Sequence, residues 1–178
     1  MSSPLFCGNC GTLQAGNGLN YFELFGLEPA YELDPAELRR RYLSSARSIH
    51  PDRGADAALS LEASARLNEA YRVLSDPLLR AEYLLELVGG KSSAADKSVP
   101  QEVLDRTLML REQIEEARLA GDQPTLATLR GQVGLLVDDV LVAVANLARQ
   151  LPGTDLIRQE LRQQLNTVKY YQRLLEYL

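Results

Sequence analysis

Tryptophan is absent from this chain, phenylalanine occurs three times, cysteine and methionine twice each, and histidine once. Each scarcity excludes something. Without tryptophan and with few phenylalanines, a core has to be built from Leu, Ala, Val and Tyr. Leucine-rich, valine-poor stretches favour helices over sheets. Two cysteines, Cys7 and Cys10, are too few for a disulfide framework, and a reducing compartment is the simpler reading. A single histidine leaves no second imidazole to share acid–base work. No apolar run approaches the ~20 residues that a membrane span needs. The first twenty residues hold no Lys or Arg, so neither a secretory n-region nor an Arg-rich transit peptide is expected. Positive charge is in the minority: 19 Lys and Arg against 24 Asp and Glu give a net charge of −5. That sign argues against nucleic acid as a partner, since such binders are normally basic.

What is present suffices for a core. Of the 178 residues, 46% are hydrophobic and 24% charged, the balance of a soluble globular chain of one domain or two small ones. Residues 1–19 lack helical periodicity and read as a tail or a small metal-binding element. Asn20 to Leu27 gives a short apolar helix closed by Gly26 and the Glu28-Pro29 step. Asp34-Pro35-Ala36-Glu37 is a helix start, with Asp34 as cap, Pro35 in the first position and Glu37 completing a capping box. Leu38, Tyr42, Ala46 and Ile49 follow as one core-facing stripe, and Pro51 stops the helix near His50. The next periodic segment runs from Ala57 to Leu74, with Leu59, Ala63, Leu67, Ala70 and Leu74 in register. Ser75-Asp76-Pro77 breaks it and opens a helix from Leu78 to Leu87.

The stretch Gly89 to Asp96 reads as the linker between two domains. Its Gly-Lys-Ser is not a phosphate-binding loop, because Leu85 stands where the upstream glycine would be needed. Three long helical segments follow, Pro100 to Ala120, Pro124 to Gln150 and Asp155 to Leu178, with Gly121-Asp122 and Pro152-Gly153 as punctuation. The expected fold is all-α, a small helical bundle followed by an antiparallel three-helix bundle. The expected division is a tail over 1–19, a first domain over 20–90, a linker over 91–98 and a second domain over 99–178.

His50-Pro51-Asp52 places the one histidine at the tip of a loop between two helices. Such a loop, fixed by proline and carried on rigid elements, suits docking better than catalysis. The same three residues would also serve as an ordinary helix end, with histidine at the dipole, proline as the stop and aspartate as the next cap. Arg39, Arg40, Arg41 and Arg47, with Arg53 beyond the turn, form the concentrated basic feature of an acidic chain. A charge run of this kind is commonly a solvated face.

These residues carry a resemblance. Tyr21 to Leu27, the Arg-rich helix, His50-Pro51-Asp52 and Asn68-Glu69-Ala70-Tyr71-Arg72-Val73-Leu74 resemble a J-domain. Leu78-Leu79-Arg80-Ala81-Glu82-Tyr83-Leu84-Leu85-Glu86-Leu87 with Gly89-Gly90, followed by a Leu- and Glu-rich helical region, resembles the HscB, or Jac-type, iron–sulfur co-chaperones. The resemblance covers 20–178 and is strongest over 20–90. It implies a J-domain that docks on a seventy-kilodalton heat-shock chaperone of the HscA/DnaK type and stimulates its ATPase. It also implies a second domain that delivers an IscU-type iron–sulfur scaffold protein, in a chain that performs no chemistry itself. The implied setting is the bacterial cytoplasm, or the mitochondrial matrix for a processed organellar protein.

Under that resemblance His50, Pro51, Asp52, Arg39, Arg40 and Arg47 are the expected chaperone-binding residues. Asp52 offers a carboxylate for an arginine of the chaperone, Pro51 fixes the turn, His50 adds a planar polar contact, and the arginines steer docking to an acidic groove. Many J-domains carry further Lys and Arg where this chain has Leu43, Ser44 and Ser45.

The helix after Pro100 has two faces. At ~100° per residue, Val103, Thr107, Leu110, Ile114 and Ala117 share one, while Leu104 and Leu108, continued by Glu112 and Glu116, form another. One helix needs a single apolar face unless it touches two things. A wide core stripe would satisfy the pattern, and so would a partner. By resemblance Leu104, Leu108, Glu112 and Glu116 are the scaffold-binding residues, with Asp105 and Met109 departing from the expected apolar and acidic types.

Cys7 and Cys10 form a single Cys-x-x-Cys, half of a four-ligand zinc site. No cofactor is expected, unless two chains share a zinc ion through this pair. Tyr170, Tyr171 and Tyr177 read as core or rim aromatics. The second functional reading is a J-domain protein that recruits a different client through its C-terminal bundle. An enzyme would need a pocket-forming motif, which the sequence lacks.

Overall fold

A computed structural model describes Leu5, Leu13, 18–49 and 57–178. The described residues form seven helices: α1 (Tyr21–Leu24), α2 (Pro35–Ser48), α3 (Ala57–Ser75), α4 (Pro77–Leu87), α5 (Gln101–Ala120), α6 (Gln123–Ala148) and α7 (Asp155–Tyr177). The fold class is all-α, as expected. The chain divides into two compact units, Met1–Arg80 and Ala81–Leu178. The division falls inside α4, upstream of the 91–98 stretch expected as the linker.

In the first unit, local signals set the helix ends. Asn20 caps α1: its side-chain oxygen accepts from the amides of Phe22 (2.9 Å) and Glu23 (3.0 Å), and Glu23 returns the bond to the Asn20 amide at 2.7 Å. Gly26, at φ 62°, ends the turn in a conformation that favours glycine. Asp34 caps α2 by accepting from the Ala36 amide at 2.9 Å, with Pro35 in the first position. Glu37 does not close a capping box. Its carboxylate turns along the helix to Arg40 and Arg41, a stronger charge-assisted pairing. Phe22, Leu24, Leu38, Ile49, Ala63, Leu67, Ala70 and Leu74 are buried. Burial of each large side chain is worth ~1.5–3 kcal/mol. Tyr42 ties α2 to α3 by stacking on Tyr71 (centroids 4.3 Å apart) and by donating to Asn68 at 2.9 Å. Leu5 and Leu13, in the segment expected as a tail, are also buried.

The second unit is a helical bundle in which α6 packs along α7 and α5 meets both. Its helix bounds agree with the expected spans to within two residues. Val103, Leu110 and Ile114 of α5, Leu129, Val133 and Val137 of α6, and Tyr171 and Leu174 of α7 form one buried cluster. Helix α6 is long and apolar enough to cross a membrane by length and composition. Here Leu129, Val133, Val137, Val144 and Ala148 are buried within the bundle, while Asp138 and Asp139 sit exposed mid-helix.

Two polar anchors act within this unit. Arg162, only 1% exposed, donates to Glu82 of α4 at 3.0 Å, and Lys169 reaches the same carboxylate at 3.2 Å. Burial raises the Glu82 pKa, but the two cations outweigh it and hold the group below its usual range. The 91–98 stretch is fastened too. Asn166 donates to the carbonyls of Asp96 (3.0 Å) and Ser98 (2.9 Å). Bonds from the Ser98 hydroxyl and amide, with Lys91 beyond, lower the Asp96 pKa to about 2. Gly90 is required there, since a Cβ would overlap the side chain and carbonyl of Leu85.

Candidate functional site

The first candidate surface lies on α2. The row Arg40, Leu43, Ser44, Arg47 follows the i, i+3, i+4, i+7 spacing of a single helix face, and these residues with Ser48 line a shallow depression of about 430 Å³. Arg40 and Arg47 therefore stand together, with an exposed leucine between them. Arg39 is exposed but lies outside the depression. Leu43 and Ser44, which looked like departures when only charge was counted, are part of this surface. Ser45 is buried and is not.

Arg41 has a structural task. Its Nη1 donates to the carbonyls of Phe25 and Gly26, both at 2.8 Å, and its Nε pairs with Glu37 at 2.6 Å. It fastens the α1 exit turn to α2. Hydrogen bonds from Arg41 and then Arg40 hold the Glu37 carboxyl below its ordinary range. Part of Arg40's charge is thus engaged on its own helix, though its side chain remains in solvent. His50, Pro51, Asp52 and Arg53 lie outside the described residues, between the end of α2 and the start of α3.

The second candidate surface lies on α5. Val103, Thr107, Leu110, Ile114 and Ala117 are all buried, as the spacing predicts. Leu104 (37% exposed) and Leu108 (60%) remain in solvent together with Glu112 and Glu116. These four do not widen the core stripe; they form a separate outer row. Met109 is exposed beside it, and Asp105 accepts from the Gln101 side chain at 2.8 Å. One residue that sequence reading left without a role borders the row. Tyr177 of α7 shares a concave site with Leu108, Arg111, Glu112, Ile114 and Glu115. No periodicity within α5 could have found it, because the contact is made between helices.

Cys7 and Cys10 lie outside the described residues. Among the described residues, no three His, Cys, Asp or Glu side chains gather in a way that could hold a metal ion.

The short capped helix α1 and the helical pair α2 and α3, followed by α4, have the helix order of a J-domain, and residues 20–83 match the DnaJ domain family. The chain is 32% identical over 165 residues to a co-chaperone protein HscB homolog of Shewanella loihica, covering 80% of this chain and 95% of the relative. It is 37% identical over 110 residues to the homolog of Shewanella halifaxensis, covering 58% of this chain and 63% of that relative. The structure of chaperone HscB from Vibrio cholerae superposes with a TM-score of 0.69 at 28% identity, covering 89% of this chain and 94% of that one. Human co-chaperone HscB shares the fold, with a TM-score of 0.79 at 23% identity and coverage of 99% and 89%. The chain is thus a J-domain protein with an appended helical bundle. It belongs to the HscB family of co-chaperones.

Proposed function

We propose that this chain couples a seventy-kilodalton heat-shock chaperone of the HscA/DnaK type to an IscU-type iron–sulfur scaffold protein. The α2 face, through Arg40 and Arg47 with Arg39 beside them, steers the chain to an acidic groove on the chaperone in its ATP state. His50, Pro51 and Asp52 make the docking contact, and Pro51 limits the freedom lost on binding, so binding energy acts on the chaperone's conformational equilibrium. Leu104 and Leu108 form the apolar centre of the scaffold contact, and Glu112 and Glu116 its acidic flank. The observation that carries this reading is the outer row of α5: two leucines in solvent on a helix whose core stripe is complete without them. The bacterial relatives support a cytoplasmic setting.

The test separates the two contacts. His50→Gln should abolish stimulation of chaperone ATP turnover and leave scaffold affinity intact; retained stimulation would overturn the docking assignment. Replacing Leu104 and Leu108 together with Ala should weaken scaffold binding and leave stimulation intact. Unchanged scaffold affinity in that variant would transfer the bundle to a different client.

A further inference from the structure

We infer that the second unit holds a binding site for a phosphate group, in the cavity between the 89–91 stretch and the first two turns of α7, with the unpaired donors of Arg162 at its centre. The site shares no residue with the two protein contacts proposed above and does not depend on them.

Asp155, Arg158, Gln159 and Arg162 follow the i, i+3, i+4, i+7 spacing of one helix face. They line a cavity of about 310 Å³ that Lys91 and Asp96 help to complete. Lys91 is matched with Asp96 at 3.3 Å, and Arg158 with Asp155. Arg162 has no carboxylate to itself. Its partner Glu82 also serves Lys169, so these four cations meet three carboxylates and the group is one negative charge short. Arg162 is almost fully buried, and its Nη1 alone is engaged; Nε and Nη2 are buried with no hydrogen-bond partner. A guanidinium left partly unpaired in the interior carries a desolvation cost without its return. Nε and Nη2 lie side by side in the guanidinium plane, the pair of donors that grips two oxygens of one oxoanion.

The rest of the lining selects among oxoanions. The guanidinium donors occupy both oxygens of a carboxylate, whereas a phosphate brings further oxygens that need donors. The ammonium of Lys91 and the amide of Gln159 stand in the same lining, and the start of α7 adds the positive end of its dipole. Lys91 is largely in solvent and held by one long bond, so it can swing to meet an incoming anion. No backbone cradle of the phosphate-loop kind is involved. The amides of Gly89 and Gly90 are spent on the carbonyls of Glu86 (3.0 Å) and Leu85 (2.8 Å).

The experiment follows the Nε–H resonance of Arg162 in the full nitrogen-15-labelled chain while inorganic phosphate is added at constant ionic strength. The resonance should shift and reach half its change by about 1 mM phosphate, and chloride at the same ionic strength should leave it in place. Arg162→Lys keeps a charge for Glu82 but has no paired donors, and should weaken phosphate binding roughly tenfold or more by calorimetry. Lys91→Ala, at an exposed position, should weaken it about threefold. An unmoved resonance in the unaltered chain overturns the site, and so does unchanged affinity in Arg162→Lys. A larger response to acetate than to phosphate overturns the choice of phosphate. Glycerol phosphate sorts the source: binding comparable to that of inorganic phosphate supports a phosphate carried on a larger molecule, and binding of inorganic phosphate alone supports the free ion.

Discussion

Helix α2 and helix α5 both carry a row of residues proposed to meet a partner, and they dispose of those residues in opposite ways. On α2 the arginines are divided. Arg41 is spent on the carbonyls of Phe25 and Gly26, Arg40 is shared with Glu37, and Arg39 and Arg47 project from the surface. On α5 the outer leucines and glutamates all remain in solvent beside a complete core stripe. A long cationic side chain can swing to any nearby acceptor, so its position on a helical wheel does not fix its task. Leucine reaches less far and has no polar group to satisfy, so spacing alone assigns it. Rows of charge overstate how much of a helix face is left free, whereas rows of surplus leucine report it more faithfully.

The contrast extends to stability, and the largest effect expected tests it there. The second unit pairs a part-buried carboxylate with the fully buried Arg162 and with Lys169, whereas the described ion pairs of the first unit lie nearer solvent. Glu82→Ala should cost about 3 kcal/mol or more in urea unfolding, because it leaves Arg162 buried without its partner. Adding Arg162→Met should recover most of the loss. Arg41→Ala comes next. Losing a charged donor to two carbonyls should cost about 2 kcal/mol, with chaperone stimulation per folded molecule unchanged. Lower stimulation with an unaltered melt would reverse the sorting of the α2 arginines. Leu108→Ala should weaken scaffold binding by about 2 kcal/mol and leave the melt within ~0.5 kcal/mol. Arg47→Ala should lower chaperone affinity by less than ~1 kcal/mol, an effect that fades as salt rises.

The smallest effect is in acid. Asp96 and Glu82 both have lowered pKa values in the folded state. Their contributions are complete above the unfolded carboxylate range and disappear as pH falls through the folded values. For Asp96 that window runs from 3.8 down to about 2. Asp96→Asn should flatten the acid limb of stability against pH within this window and leave it unchanged near neutrality. An unaltered acid limb would remove Asp96 as the clasp of the 91–98 stretch.

Much of this was legible in the residues. The helix ends followed from Asp34-Pro35, Gly121-Asp122 and Pro152-Gly153, whose signals are local. The two faces of α5 followed from period alone. What escaped was non-local or competitive. Arg41 finds its carbonyls on the turn after α1, and Glu82 meets a cation eighty residues away. Glu37 could serve a capping box or two arginines, and its sequence position does not rank them. The division inside α4 escaped because its helical signal runs on without a break, while Gly89 and Gly90 gave the stronger punctuation. That Tyr177 borders the outer row of α5 emerged only when α7 was laid beside it. His50-Pro51-Asp52 was read from residues that lie outside the described part of the structure.

The interleaving of the two rows on α5 bears on how such a protein can change over time. Val103 is followed at once by Leu104, and Thr107 by Leu108, yet each neighbour answers to a different constraint. On the client contact proposed above, mutations to the outward members would retune recognition in small steps while the chain still folds, and inward members could be exchanged without the client noticing. A lineage can therefore track a drifting client with one helix, free of the compensating repairs that a shared set of side chains would demand.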